Sequence, residues 1–279
     1  MDYSQFLINK LLDSIISIVK VLILSDYTIK IPRAENTQCA ILGTGPSLKE
    51  SLEENLTFIN TCELFCLNLF SVTAYYPLLK PKNYLLLDPI FIKQEHQFIK
   101  DMIDAIVEKT VWEMNLFVPK SFLKSDDFMR SVSRNPHIRV IPFNYTIVRG
   151  FDWLTQLFFR KNLGMPQSQN VMVATLFYAL NMGFEKIFLF GADHSWHEGL
   201  KVNEHNEIVG VVKHFYEENN QKPQKSMEMT KQFMSLYKVF YGYEVLVKYA
   251  DKLGVKVYNA SGRSYIDVFE KIKINEFTK

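Results

Sequence analysis

Gln38-Cys39-Ala40-Ile41-Leu42-Gly43-Thr44-Gly45-Pro46-Ser47 reads as a strand, a glycine turn and the start of a helix. A short apolar run stopped abruptly by glycine is the form of a buried parallel strand. Ser47 suits the N-cap of the following helix, and Glu50, three residues on, completes a capping box. In such a turn, glycines let backbone N–H groups approach an anion closely, and the helix behind adds its positive end. Gly43, Thr44, Gly45, Pro46 and Ser47 are therefore candidates for a phosphate or nucleotide cradle. The plain alternative is a turn that only packs strand against helix tightly. The motif is neither GxGxxG nor GxxxxGK[ST], so a dinucleotide or Walker-type triphosphate grip is not supported.

Working outward, the sequence predicts further strands at residues 64–67, 84–87, 111–118, 139–142, Lys186–Phe190 and 255–258. Between them it predicts helices at 93–109, 121–131, 170–182 and 227–253, the last two stopped by Gly183 and Gly254. Alternating strands and helices imply an α/β, Rossmann-like fold with a mostly parallel sheet covered on both faces. In open sheets of this kind, ligands sit beyond the carboxyl ends of the strands. Those ends carry Asn68, Asp88, and the pair Asp193 and His194. Residues 195–225 lose periodicity and gather Asn, Glu, His and Lys, the signature of a long lid loop.

The 279 residues are 48% hydrophobic and 22% charged, a globular balance that excludes extensive disorder. Net charge is +2, with no run of five like charges, so nucleic acid is not an expected partner. Cys39, Cys62 and Cys66 form no CxxC pair and read as reduced, buried thiols of a cytoplasmic protein. The chain divides into an N-terminal amphipathic helix in residues 1–30 and one domain over 31–279. Residues 6–24 are strongly apolar but contain Lys10, Asp13 and Lys20, too many charges for a spanning helix. On a helix, Leu7, Leu11, Leu12, Ile15, Ile16, Val19, Leu22 and Ile23 share a broad face, opposite a stripe with Asn9, Lys10, Asp13, Ser17 and Lys20. The apolar face is expected either to dock on the domain or a second subunit of a homo-oligomer, or to lie in a membrane surface. The aromatic clusters at 75–77, 151–153 and 158–159 are expected in the core or at a subunit contact.

Taken together, residues 43–48, 66–70, 88–89, 168–171 and 188–193 resemble the bacterial sialyltransferases that decorate lipooligosaccharide. They also resemble a related group that includes surface-polysaccharide proteins and the pyrophosphokinase of methanopterin biosynthesis. The likeness runs over about residues 38–195 in the same order and becomes diffuse beyond. It implies a nucleotide-sugar-dependent glycosyltransferase that holds a CMP-activated sugar without a metal, and a glycan or lipid-linked acceptor at the cytoplasmic face of the membrane. By that resemblance Gly43 to Ser47 match the nucleotide turn, Asn68 the second-strand Asn, and Ser168, Gln169 and Asn170 the segment that meets the donor. Asp88 stands where those enzymes use Asn. His214 is the best-placed match to their lid general base, with Tyr216 as a phosphate partner.

Chemistry independently asks for a base to deprotonate an acceptor hydroxyl and for donors to the leaving phosphate, and a histidine suits the first task. His214, flanked by Lys213 and Phe215, is set against the reading of a solvated lid histidine. Asp193 and His194 are candidate catalytic partners, or else purely structural. With His197 they offer no fourth ligand that can be named, so no metal site is assigned. The rival activity is an ATP-dependent pyrophosphokinase, in which Mg²⁺ would face Asp88 and Asp193. A non-catalytic module of a polysaccharide assembly complex is the third reading.

Overall fold

The computed structural model describes residues 3–93, 96–210, 224–225 and 227–277. The strands are β1 (Gln38–Leu42), β2 (Glu63–Leu67), β3 (Asn83–Leu85), β4 (Met114–Pro119), β5 (Ile138–Phe143), β6 (Lys186–Phe190), β7 (Lys201–Val202), β8 (Ile208–Gly210), β9 (Gln224–Lys225), β10 (Lys256–Asn259) and β11 (Glu270–Lys271). The helices are α1 (Tyr3–Leu24), α2 (Leu48–Ile59), α3 (Tyr75–Leu79), α4 (Ile90–Lys93), α5 (Gln97–Lys109), α6 (Asp126–Val132), α7 (Asp152–Arg160), α8 (Val171–Met182), α9 (Met229–Leu253) and α10 (Ile274–Phe277). Eight strands form one all-parallel sheet in the order β11-β10-β6-β1-β2-β3-β4-β5. The fold is α/β and Rossmann-like. The chain steps outward from β1 to β5, then returns to β1's other side with β6, which puts the topological switch point between β1 and β6.

The side-chain period of two splits each strand between two layers. Cys39 and Ile41 of β1 enter the layer of α7, α8 and α9, while Ala40 and Leu42 enter the layer of α2, α5 and α6. Helix α8 carries no polar stripe and is buried almost all round, as an apolar helix over the sheet centre must be. Asn170 caps it, accepting from Val173 N at 3.0 Å, and Gly183 ends it in the left-handed region. At the amino edge of the sheet the side chains of four strands link in series. Asn83 Nδ2 donates to Glu63 Oε1 (2.7 Å), Asn115 Nδ2 to Asn83 Oδ1 (2.9 Å) and Arg139 Nε to Asn115 Oδ1 (3.1 Å).

Several boundaries differ from the sequence expectations. The helix expected at 93–109 divides into α4 and α5, and the strand expected at 111–118 starts only at Met114, leaving Val111 in solvent. The helix expected at 121–131 breaks at Ser125, which caps α6 by accepting from Phe128 N. The acidic Asp126 and Asp127 then favour the new helix start. Helix α7 absorbs the aromatic cluster that had no element assigned to it: Phe159 is in the core and Trp153 is exposed. The lid region holds a helical turn at Trp196–Gly199 and an antiparallel β7-β8-β9 sheet.

Helix α1 docks the opposite way round from the expectation that its apolar face packs on the domain. Ser14, Ser17 and Val21 are its buried residues. Ser17 Oγ donates to Arg149 O and accepts from Arg149 N, both at 2.8 Å. Phe151 N donates to Ser14 Oγ (2.9 Å), and Lys10 Nζ reaches Gly150 O (2.8 Å) and Asp152 Oδ1 (3.2 Å). The loop at 149–151 presents unpaired backbone groups, which only polar side chains can satisfy. Gly150 has φ +122°, and a Cβ there would lie 2.2 Å from Ser14 Oγ, so this close approach requires glycine. Among the described residues, no helix is long and apolar enough to cross a membrane.

Candidate functional site

Beyond the carboxyl ends of the central strands lies a cleft of about 560 Å³. Its walls come from the β1 turn, the ends of β2, β3 and β6, the start of α8 and the first turn of the lid. Of the residues singled out in the sequence, Gly43, Thr44, Gly45, Pro46, Asn68, Asp88, Gln169, Asn170, Asp193 and His194 all line it. Ser47 and Ser168 are buried behind the wall. His214 and Tyr216 lie outside the described residues.

The β1 turn is closed against β6. Gly43 N donates to Phe190 O (2.8 Å) and Gly45 N to Gly191 O (3.0 Å). Ser47 does not cap α2 through its side chain as the capping box suggested. Its hydroxyl donates instead to Asp193 Oδ2 (2.8 Å), and its amide to Asp193 Oδ1 (3.2 Å). The carboxylate of Asp193 thus stands at the helix N-terminus, where the sequence reading puts a phosphate. A Cβ on Gly45 would lie 2.1 Å from Asp193 Oδ2 and 2.6 Å from Gly191 O, so glycine here serves this close approach. Burial raises the pKa of Asp193, opposed by its hydrogen bonds from Ser47 and by the charge of Arg263.

His194 takes a left-handed backbone, φ +54°, and is nearly inaccessible to solvent. Its ring stacks between Trp196 (4.7 Å between centroids) and Tyr243 (5.4 Å). The Tyr243 hydroxyl lies 2.7 Å from His194 Nε2 and also hydrogen bonds the side chain of Asn170. Burial without a charged partner pulls His194 down to about 3, so the ring is a neutral imidazole at neutral pH. That makes it a weak proton acceptor and an aromatic wall. It stands on the cleft wall beside Asp193, where the sequence reading places a candidate catalytic pair.

Asp88 is exposed at the end of β3, and its Oδ1 accepts from Ile90 N (2.9 Å) at the start of α4. Asn68, also with positive φ (+50°), turns the chain sharply after β2 and brings its side chain to the cleft. Asn170 divides its work between capping α8 and Tyr243.

Tyr145, Trp196 and Glu198 are among the lining residues that the sequence did not single out. Tyr145, two residues beyond β5, donates to Ser168 O (2.7 Å); burial first, then the nearby Asp88 carboxylate, raises its pKa. The strand-end rule that found Asn68 would have found it. Trp196 and Glu198 come from the lid's helical turn. Glu198 Oε1 accepts from Tyr265 Oη (2.5 Å) and Arg263 Nη2 (2.9 Å), tying the lid to the segment after β10. Ser261, after β10, accepts from Ala192 N (2.9 Å) and is buried. Among the described residues, no cluster of three or more His, Cys, Asp or Glu side chains gathers as a metal site.

No family model matches the chain, and none of the curated proteins does. Among solved structures, the MAf glycosyltransferase from Magnetospirillum magneticum AMB-1 superimposes with a TM-score of 0.52 at 12% identity, over 94% of this chain and 38% of that one. The two share a fold. This chain thus spans well under half the length of that glycosyltransferase, and at this identity the likeness speaks for architecture alone.

Proposed function

We propose that the chain is a glycosyltransferase that takes a nucleotide-activated sugar, a CMP-sugar by preference, into the cleft and passes the sugar to a glycan or lipid-linked acceptor. The carrying observation is the convergence of polar ends from β1, β2, β3 and β6 on one cleft at the sheet's switch point. Its volume lies in the range of small-molecule and cofactor sites. The resemblance of the same segments to the lipooligosaccharide sialyltransferases, and a fold shared with a known glycosyltransferase, point the same way.

In the reaction an acceptor oxygen attacks the anomeric carbon, the bond from that carbon to the nucleotide phosphate breaks, and the acceptor proton passes to a base. Because Asp193 already fills the helix end, the departing phosphate would be met by side chains around the cleft, with Asn68, Thr44 and Asn170 the proposed donors. His214 is the proposed base and Tyr216 a proposed phosphate partner; Asp193 and His194 shape the floor. On this reading His214→Ala removes turnover while leaving nucleotide affinity nearly intact. Retained turnover in that variant would hand the role to His194 or His197.

The test of the donor site is thermal unfolding with CMP, UDP, GDP, ATP and the corresponding sugar nucleotides, each with and without Mg²⁺. A cytidine ligand at a hundredfold excess over its dissociation constant should stabilise the protein by about 2.7 kcal/mol without Mg²⁺. A response confined to ATP with Mg²⁺ would indicate the pyrophosphokinase chemistry instead. No response to any nucleotide would refute the reading.

A further inference from the structure

We propose that α1 is a lipid-docking element: its outward face lies in the headgroup layer of an anionic membrane and holds the cleft-bearing domain there. The helix turns Ser14, Ser17 and Val21 inward and leaves a broad aliphatic face in solvent, the reverse of an ordinary surface helix. Ile8, Leu12, Ile15, Ile16, Val19 and Ile23 are each between 47% and 73% exposed. This orientation is fixed by the contacts of Lys10, Ser14 and Ser17 with residues 149–152, so the helix cannot roll over to hide them. Aliphatic side chains that follow one another along a whole helix face mark an interaction surface, unlike the scattered ones of an ordinary monomer.

The choice of lipid over a second copy rests on area and on charge. Two α1 helices side by side would cover a strip of roughly 33 Å by 10 Å, well short of the roughly 800 Å² per partner of a stable interface. Paired helices also carry charged residues beside the seam to fix their register. Here the residues flanking any such seam are themselves aliphatic, and Asn9, Asp13 and Lys20 lie together along one edge of the arc. A lipid surface needs no register and accepts a wide arc immersed by roughly 5–10 Å. Lys20, and the exposed Lys30 and Arg33 just after the helix, give the positive charge that anionic headgroups attract. Tyr27, exposed three residues past the helix, suits the same layer.

The experiment is flotation of the full chain with vesicles of phosphatidylglycerol and phosphatidylethanolamine, beside sedimentation velocity without lipid. The wild type should float, and Leu12→Glu/Ile16→Glu should lower its vesicle partitioning by roughly tenfold or more, with an unchanged unfolding midpoint because both sites face solvent. The milder Ile15→Ser/Val19→Ser should show a smaller loss in the same direction. A wild type that stays at the bottom of the gradient overturns the proposal. So does a double variant that floats like the wild type, or a lipid-free dimer that the double variant dissolves, which would assign the face to a second copy. Flotation requires no nucleotide, so its failure leaves the donor-site reading intact, and a failed nucleotide screen leaves this one intact.

Discussion

His194 should make the protein acid-labile over a defined range. Its ring is neutral in the folded state because burial holds it near 3, whereas in the unfolded chain it titrates at its ordinary 6.5. Between those values the unfolded chain binds a proton that the folded one refuses, so stability rises with pH across that window. The contribution is fully present above pH 6.5 and is lost as pH falls towards 3. At about pH 4.5 the unfolded residue is two pH units below its ordinary pKa, which corresponds to about 2.7 kcal/mol of lost stability. The informative variant is His194→Asn, since asparagine tolerates the left-handed backbone at φ +54° and does not titrate. Removing the ring also forfeits its stacking on Trp196 and Tyr243, so the variant starts less stable at neutral pH. The quantity to read is the difference in slope. Urea unfolding followed by far-UV circular dichroism at about pH 7.5 and about pH 4.5 should show the wild type losing about 2.7 kcal/mol more than the variant. The other five histidines are common to both proteins and cancel. Equal losses would refute the buried, neutral state of this ring.

Gly45→Ala would drive a methyl group into Asp193 Oδ2 and Gly191 O, and should cost about 2 kcal/mol or more in urea unfolding; unchanged stability would show that the turn is not closed against β6 as described. Cys39 and Cys66 are fully buried with thiols raised by desolvation, and Cys62 is pushed up to about 11. A thiol-reactive dye should therefore label the native protein slowly at mildly alkaline pH and all three cysteines promptly in denaturant, whereas rapid native labelling would contradict the packing of β1 and β2.

Most of the sheet was legible because its strands are short apolar runs ended by glycine or a polar residue, and Lys186–Phe190 falls at its expected bounds. The polar strand ends were legible for the same reason, and the cleft gathers most of them. What could not be read were partnerships between distant residues. Ser47 and Asp193 lie 146 positions apart, so nothing local reveals that the serine serves a carboxylate and not its own helix. Tyr243 sits at apolar spacing on α9 and reads as core, yet its hydroxyl is what His194 meets. The facing of α1 was hidden too. Periodicity marks a polar and an apolar side, but only the unsatisfied backbone at 149–151 decides which one the domain accepts.

The series of links from Glu63 through Asn83 and Asn115 to Arg139 has a consequence for how this sequence can drift. Each amide donates to one neighbour and accepts from the other, so the row has a direction, running from a cation at one end to an anion at the other. Replacing Asn83 alone strands two buried groups, Glu63 and Asn115, at once, while replacing the whole row by aliphatic residues leaves only the Glu35 amide, which Glu63 also accepts from, to find a new partner. Descendants of this protein should therefore keep all four residues or exchange them as a block, and an intermediate carrying half the set would be the least fit of the three.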